Sequence, residues 1–250
     1  MTQRAWCAIV AATALGAAAG SPASGAVAPG DGCSGAGVVV EFPYTMTVNL
    51  ADFSTESGPG APCDPSMPPP TLMSLDAWLK WTATHTGVVD IALDPAPFAA
   101  VVQVFSGLNC GALAPVACAA NAGSVQLSIN AVAGQTYWLQ FGQQGNQMTA
   151  GSVSVSIKPR PVNDECMNAI ELFEETPEVG NTALATSNAM DPSFACPLGG
   201  AGVGSLWYSF EAPAERVVIT TIDTVFTTLP VTKSYGSFLA AYTGQCGSLT

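Results

Sequence analysis

Cysteine is the residue type whose spacing says most about the chemistry of this 250-residue chain. Cys33 and Cys63 lie thirty residues apart, and so do Cys166 and Cys196. Paired thiols form lasting disulfides in an oxidising compartment, whereas a cytosolic chain with this many cysteines favours metal or redox chemistry. The repeated spacing therefore predicts two structural disulfides, Cys33–Cys63 and Cys166–Cys196.

A third disulfide is predicted at a Cys-Gly-x-Leu corner that begins at Cys110 and recurs at Cys246. Cys118 follows Cys110 closely enough to bridge a hairpin-like corner, so we expect a Cys110–Cys118 bond. No equivalent of Cys118 follows Cys246 before the sequence ends at Thr250. Two explanations stay open for Cys246: its partner lies further along a longer protein, or it bridges to another molecule.

Catalytic constellations are poorly represented. His85 is the only histidine and lies in a turn sequence, without the nucleophile and orienting carboxylate that a triad requires. Zinc needs three or four clustered ligands, which one histidine and disulfide-bonded cysteines cannot supply. The adjacent carboxylates Asp164-Glu165 and Glu174-Glu175 would point to opposite faces of a strand, so they do not form a glycosidase-like pair. We predict that the chain is not an enzyme.

No cofactor is predicted either. Calcium takes six or more oxygen ligands, and the Asp-x-Asp-x-Asp-Gly type of loop is absent from the sequence. If calcium binds at all, Asp164 and Asp191 are its best candidate ligands.

Three tryptophans fall on polar faces of predicted strands. In the segment 77–83, alternation places Trp78 opposite the apolar face, and Trp207 and Trp138 occupy similar positions. Exposed aromatic rings on a sheet can stack on sugars, which would make these residues a carbohydrate-binding surface. The alternative is that each ring lies beneath a disulfide-closed loop. Recurrence of the tryptophan in both halves of the chain favours the structural interpretation.

The elements that must position these residues are strands. Strict alternation of apolar and polar residues marks 124–130 and 152–157, and a third apolar face spans 136–142. Many short strands separated by Gly and Pro turns predict an all-β chain built as antiparallel sandwiches.

The chain is predicted to hold two tandem copies of one module, because motifs recur at a period of about 133 residues. Residues 76–84 match 205–213, and 104–113 match 241–249. The first copy spans 27–158, a Pro-containing linker follows at 159–161, and the second copy spans 162–250. The second copy lacks the last three strands of the first, so we expect it to be incomplete.

Residues 1–26 resemble a secretory signal peptide, with Arg4 before an Ala-rich apolar region and a cleavage site after Ala26. No later segment is apolar enough to cross a membrane. Only 10% of residues are charged, with 18 Asp and Glu against 6 Lys and Arg, for a net charge of -12. Such a surface is unsuited to nucleic acid or anionic membranes. The chain is therefore predicted to be secreted, extracellular or at the cell surface, without membrane insertion.

A family resemblance adds to this interpretation. Asn163-Asp164-x-Cys166, then Trp207-Tyr208-x-Phe210, then Tyr242-x-Gly244-x-Cys246 resemble the secreted bacterial pre-peptidase C-terminal-like domains, in their cysteine-containing tandem variety. That resemblance implies a non-catalytic jelly-roll-like β-sandwich. It covers nearly all of the second copy and is weaker over the first.

The predicted function is that of an exported, non-catalytic binding or structural module of cell-surface, adhesin-like type. Its partners would be an extracellular polymer, a cell-envelope component or neighbouring domains of the same chain. One alternative is an accessory region of a secreted peptidase or polysaccharide-degrading hydrolase whose catalytic domain lies beyond residue 250. Another is a carbohydrate-binding module that uses Trp78 or Trp138.

Overall fold

A computed structural model describes residues 4–11, 27–55, 73–94, 96–145, 151–187, 191–192, 204–212, 217–221, 225–228, 231–234 and 237–249. Within these ranges every regular element is a β-strand or a short 3-10 turn, which confirms the all-β prediction. In chain order the strands are β1 (Arg4–Ala11), β2 (Gly37–Val39), β3 (Tyr44–Asn49), β4 (Met73–Thr82), β5 (Gly87–Leu93), β6 (Ala99–Ser106), β7 (Ala114–Ala122), β8 (Val125–Ala131), β9 (Thr136–Gln144), β10 (Ser152–Pro159), β11 (Ile170–Glu171), β12 (Ser205–Glu211), β13 (Val225–Thr228), β14 (Val231–Ser234), β15 (Ser237–Gln245) and β16 (Ser248–Leu249).

The chain divides into two compact units. The first unit comprises Ala19–Pro159, and the second unit comprises Arg160–Thr250 together with Met1–Ala18. The division falls within the predicted Pro-containing linker, although β10 continues through Pro159 and pairs it with Val89 of β5.

The first unit is a sandwich of two sheets. One sheet has the strand order β2-β4-β9-β6-β7 and the other has the order β3-β10-β5-β8. All neighbouring pairs are antiparallel except β2 and β4, which are parallel. The three strands predicted at 124–130, 136–142 and 152–157 correspond to β8, β9 and β10.

The two faces of β4 serve different clusters because side chains alternate along a strand. Leu79 and Trp81 belong to the main core between the two sheets and are 0% and 1% exposed. Trp78 belongs to a separate cluster on the opposite face. Burying one large apolar side chain contributes about 1.5–3 kcal/mol, so both faces stabilise the first unit.

The second unit contains one five-stranded sheet with the order β11-β12-β1-β15-β16 and a two-stranded sheet of β13 and β14. Strand β1 lies in the middle of the larger sheet and pairs antiparallel with β12 and with β15. Its residues belong to the segment predicted as a signal peptide. In the part of the chain that the structure describes, no helix has the length and apolar character needed to span a membrane.

Candidate functional site

The disulfides join different cysteines from those predicted. Cys33 bonds Cys110 and Cys166 bonds Cys246, with Cα–Cα distances of 5.9 and 5.8 Å. The predicted partners Cys63 and Cys196 lie outside the described residues. The pairings Cys33–Cys63 and Cys166–Cys196 are therefore wrong, because the fold brings the turn before β2 to the turn after β6. The recurring thirty-residue spacing does not correspond to the bonded pairs.

The predicted Cys110–Cys118 bond is also wrong. Cys118 lies within β7, where the ladder makes it the partner of Gln103 in β6, and its thiol is free. Cys110 lies beyond the end of β6, in a 3-10 turn. Cys246, which the sequence left without a partner, is bonded within its own unit.

Trp78 forms the centre of a buried cluster against the disulfide of the first unit. The cluster contains Cys33, Ala36, Trp78, Phe105 and Trp138, with Cys110 and Leu113 packed against it. The rings of Trp78 and Phe105 are stacked, with centroids 6.0 Å apart, and the Lys80 ammonium lies 4.9 Å from the Trp138 ring centroid.

This burial corrects the ligand-stacking interpretation of the tryptophans. Trp78 and Trp207 are 0% exposed and Trp138 is 4% exposed. Rings this deeply buried are not available on the sheet face for stacking on a sugar. Their role in the described structure is packing.

A buried carboxylate links this cluster to the neighbouring strand. Asp76 is 0% exposed, and its Oδ2 accepts the indole N–H of Trp78 at 3.0 Å and the side-chain amide of Gln140 at 2.8 Å. Buried polar groups need such partners, because an unsatisfied donor costs about 1–3 kcal/mol. Asp76 thus connects β4 to β9 through side chains as well as through the backbone ladder. Sequence reasoning missed Asp76 as an important residue.

The second unit repeats this arrangement. The ring centroids of Trp207 and Tyr242 lie 6.1 Å apart. This contact is the equivalent of the Trp78–Phe105 contact in the first unit. The backbone N–H of Trp207 donates to the carbonyl of Asn163 at 2.8 Å, as that of Trp78 does to Gly30 at 2.8 Å. The two tryptophans are therefore structurally equivalent.

One polar contact of the first unit is not repeated. Ser205 occupies the position of Asp76, and its hydroxyl donates to Asp191 at 3.1 Å. The indole N–H of Trp207 is buried and has no hydrogen-bond partner among the described residues. The buried indole N–H of Trp78 therefore has an acceptor in Asp76, whereas the equivalent N–H of Trp207 has none among the described residues.

In each unit an acidic side chain just before the first disulfide cysteine holds a neighbouring segment by hydrogen bonds. In the first unit Asp31 accepts the backbone N–H of Ser54 at 2.5 Å and its hydroxyl at 2.9 Å. In the second unit Asp164 accepts the same two groups of Thr186 at 2.5 and 2.7 Å. The Asp-x-Cys pattern that Asp31 shares with Asp164 is a local sequence signal for this role.

The candidate calcium ligands have protein partners. Asp164 is 4% exposed, holds Thr186 and lies 3.7 Å from the Arg160 guanidinium, while Asp191 accepts from Ser205. In the described ranges no group of three or more His, Cys, Asp and Glu side chains could hold a metal ion. His85 is partly exposed, with Nδ1 3.2 Å from the Thr84 hydroxyl, and Glu174 and Glu175 are exposed.

No protein-family model matches the chain, and no curated protein sequence matches it. Among solved structures, a mitogen derived from Yersinia pseudotuberculosis is 8% identical, with a TM-score of 0.29 over 47% of this chain and 87% of that one. The Podospora anserina GH26-CBM35 β-(1,4)-mannanase is 14% identical, with a TM-score of 0.18 over 48% of this chain and 29% of that one. Similarities this low carry no information about function.

Proposed function

We propose that this chain is an exported, non-catalytic binding or structural module of the extracellular space or cell surface. The observation that carries the proposal is the set of stabilising contacts that recurs around Trp78 and Trp207. In both units a disulfide, a buried tryptophan and an acidic side chain that holds a neighbouring segment occupy equivalent places. These cysteine, tryptophan and acidic side chains are the residue types best suited to catalysis or ligand binding, and here they stabilise the sheets.

Two further observations support an extracellular location. Both disulfides tie segments far apart in sequence, with separations of 77 and 80 residues. Structural disulfides of this kind persist in oxidising compartments. The net charge of -12 opposes binding to nucleic acid, so polymers or proteins of the cell exterior are the partners we propose.

The experiment uses the chain purified after export from an expressing cell. We expect an N-terminus at Val27 and saturable co-sedimentation with insoluble cell-envelope fragments or an extracellular polysaccharide. We expect no release of soluble sugar or peptide from the polymer. Turnover of the polymer by the purified chain, or failure to sediment with any of these materials, would overturn the proposal.

Matched cysteine variants show whether binding needs the fold. The double variant Cys33→Ser/Cys110→Ser removes the disulfide beside Trp78. Binding through the first unit should weaken because that unit is destabilised. Cys118→Ser removes the free thiol from the same sheet and should bind like the unmodified chain. Equal binding by all three proteins would contradict a role for the first unit.

A further inference from the structure

The first unit has a recess at one end of its sandwich, where β4 and β10 end and β3 and β5 begin. Phe42 lies two residues before β3, and Trp81 is the penultimate residue of β4. Val89 of β5 is the ladder partner of Pro159, the last residue of β10. These four side chains line the recess. Its walls are therefore apolar and come from both sheets of the sandwich.

The turn after β4 adds polar groups to the recess. Thr84 and His85 also line it, and Oγ1 of Thr84 lies 3.2 Å from Nδ1 of His85. Thr84 is exposed and His85 is half-buried. Among the described residues that line the recess, none carries a carboxylate, ammonium or guanidinium group. The recess thus offers an uncharged ligand an apolar interior with hydrogen-bonding groups beside it.

Trp81 contributes a hydrogen-bond donor that lacks an acceptor. The residue is 1% exposed and its ring stacks on that of Tyr137, with centroids 5.5 Å apart. Its indole N–H is buried and has no hydrogen-bond partner among the described residues, whereas Trp78 of the same strand donates to Asp76. Buried donors are normally satisfied, and an unsatisfied one costs free energy. An acceptor that enters the recess and reaches Trp81 would recover that free energy.

The size of the recess limits what can enter it. Its volume is about 200 Å³, including its solvent-open part. Pockets that enclose a whole small-molecule ligand measure about 300–1,000 Å³. The recess therefore accepts one small group of a larger ligand. An acetyl group meets the requirements, because it is uncharged, carries a methyl group for the apolar walls and has a carbonyl oxygen as acceptor.

We propose that this recess binds the acetamido group of a polysaccharide built from N-acetylhexosamine. The methyl group packs between Phe42 and Pro159, and the carbonyl oxygen accepts the indole N–H of Trp81. Sugar hydroxyls bond Thr84 and His85 at the mouth. The inference rests on the proposed function, since it names the chemistry of the extracellular polymer. A neutral N-acetylated polymer also suits a chain with a net charge of -12, which repels acidic polymers.

The first test compares two soluble trisaccharides with the purified exported chain. Triacetylchitotriose carries three acetamido groups, and cellotriose has the same linkage with hydroxyl groups in their place. In saturation-transfer NMR, triacetylchitotriose should receive magnetisation from the protein, most strongly at its acetyl methyl protons. Cellotriose should receive none. Equal transfer to both sugars, stronger transfer to the ring protons than to the methyl protons, or no transfer to triacetylchitotriose would overturn the proposal.

The second test locates the bound group with three variants. Trp81→Phe keeps an aromatic wall without the donor, and it should weaken triacetylchitotriose binding about fivefold to tenfold. Thr84→Phe places a ring at the mouth from an exposed position and should abolish binding. Thr82→Phe is the matched control, because Thr82 is exposed on the same segment and does not line the recess. It should bind like the unmodified chain.

Thermal unfolding of each variant shows that it is folded, and Thr84→Phe tests the site without altering the core. Unchanged binding by Thr84→Phe or by folded Trp81→Phe, or equal weakening by Thr82→Phe, would overturn the proposal. Co-sedimentation with a polymer that lacks acetamido groups, without transfer to triacetylchitotriose, would overturn the recess and leave the proposed function intact. Trp81-dependent binding of triacetylchitotriose by a chain that sediments with no polymer would support the recess and overturn the proposed function.

Discussion

The indole N–H of Trp78 donates to Oδ2 of Asp76 at 3.0 Å, and both side chains are 0% exposed. The same oxygen accepts from Gln140 of the adjacent strand. One carboxylate therefore satisfies two buried donors from two strands. This is why the cluster beneath the Cys33–Cys110 disulfide tolerates polar groups that would otherwise destabilise it.

Asp76→Ala should destabilise the first unit by about 2–5 kcal/mol, because two buried donors lose their acceptor. The measurement is denaturant unfolding of the full chain, followed by amide exchange in β4 and β9. Asp52→Ala is the matched control, since Asp52 is exposed, and it should change stability by less than about 0.5 kcal/mol. Equal effects of the two substitutions would contradict the bridging role of Asp76.

Removal of the Cys33–Cys110 bond should also lower stability strongly. The bond closes a loop with a sequence separation of 77, and the chain-entropy model gives about 4.5 kcal/mol for a loop of that size. Cys110→Ser should therefore lower the thermal midpoint of the first unit by about 10 °C or more in a calorimetric scan. Cys118→Ser should leave it unchanged, because that thiol is free. Equal lowering of the midpoint by Cys110→Ser and Cys118→Ser would instead support a bond between Cys110 and Cys118.

Local pattern was enough to predict the strands and their faces. The alternation in 77–83 placed Trp78 and Trp81 on opposite faces, and the structure assigns them to two separate clusters. A period of two is a property of each strand alone, so no knowledge of its neighbours is needed.

Partners that depend on strand order could not be predicted in the same way. The Asp76–Gln140 bond joins residues 64 apart in sequence, and it exists only because β4 and β9 are neighbours. The predicted cysteine pairings were wrong for the same reason. The recurring thirty-residue spacing does not indicate which strand ends lie close together in the fold. The Asp-x-Cys pattern at Asp31 and Asp164 was a readable local signal, and comparison of the two copies at that position would have found it.

The hydrogen bonds that Asp31 and Asp164 accept should contribute different amounts to the stability of their units. Asp164 is 4% exposed and holds Thr186, whereas Asp31 makes the equivalent bonds to Ser54 at an exposed position. Loss of a buried acceptor costs about 1–3 kcal/mol, while exposed donors are satisfied by water. Asp164→Ala should therefore destabilise its unit by at least about 1 kcal/mol more than Asp31→Ala destabilises the other. Amide exchange at Thr186 and Ser54 measures both, and equal acceleration would show that burial does not set the difference.

Stability should fall at alkaline pH through Tyr44. Burial raises the pKa of Tyr44 from 10.0 to about 12, and its hydroxyl donates to the carbonyl of Val27 at 2.8 Å. Because the folded state holds this proton more tightly, the contribution is fully present below pH 10 and is lost as the pH rises from 10 towards 12. The expected slope is about 1.4 kcal/mol of unfolding free energy per pH unit in that window.

Tyr44→Phe isolates this effect from other groups that titrate at high pH. Below pH 10 the variant should be less stable by about 1 kcal/mol, since it loses the bond to Val27. Between pH 10 and 12 the two stability curves should converge and then cross, because only the unmodified chain must bury a phenol that would otherwise ionise. Urea unfolding at half-unit pH intervals provides the measurement. Curves that stay parallel up to pH 12 would mean that Tyr44 ionises as readily in the folded state as in the unfolded one.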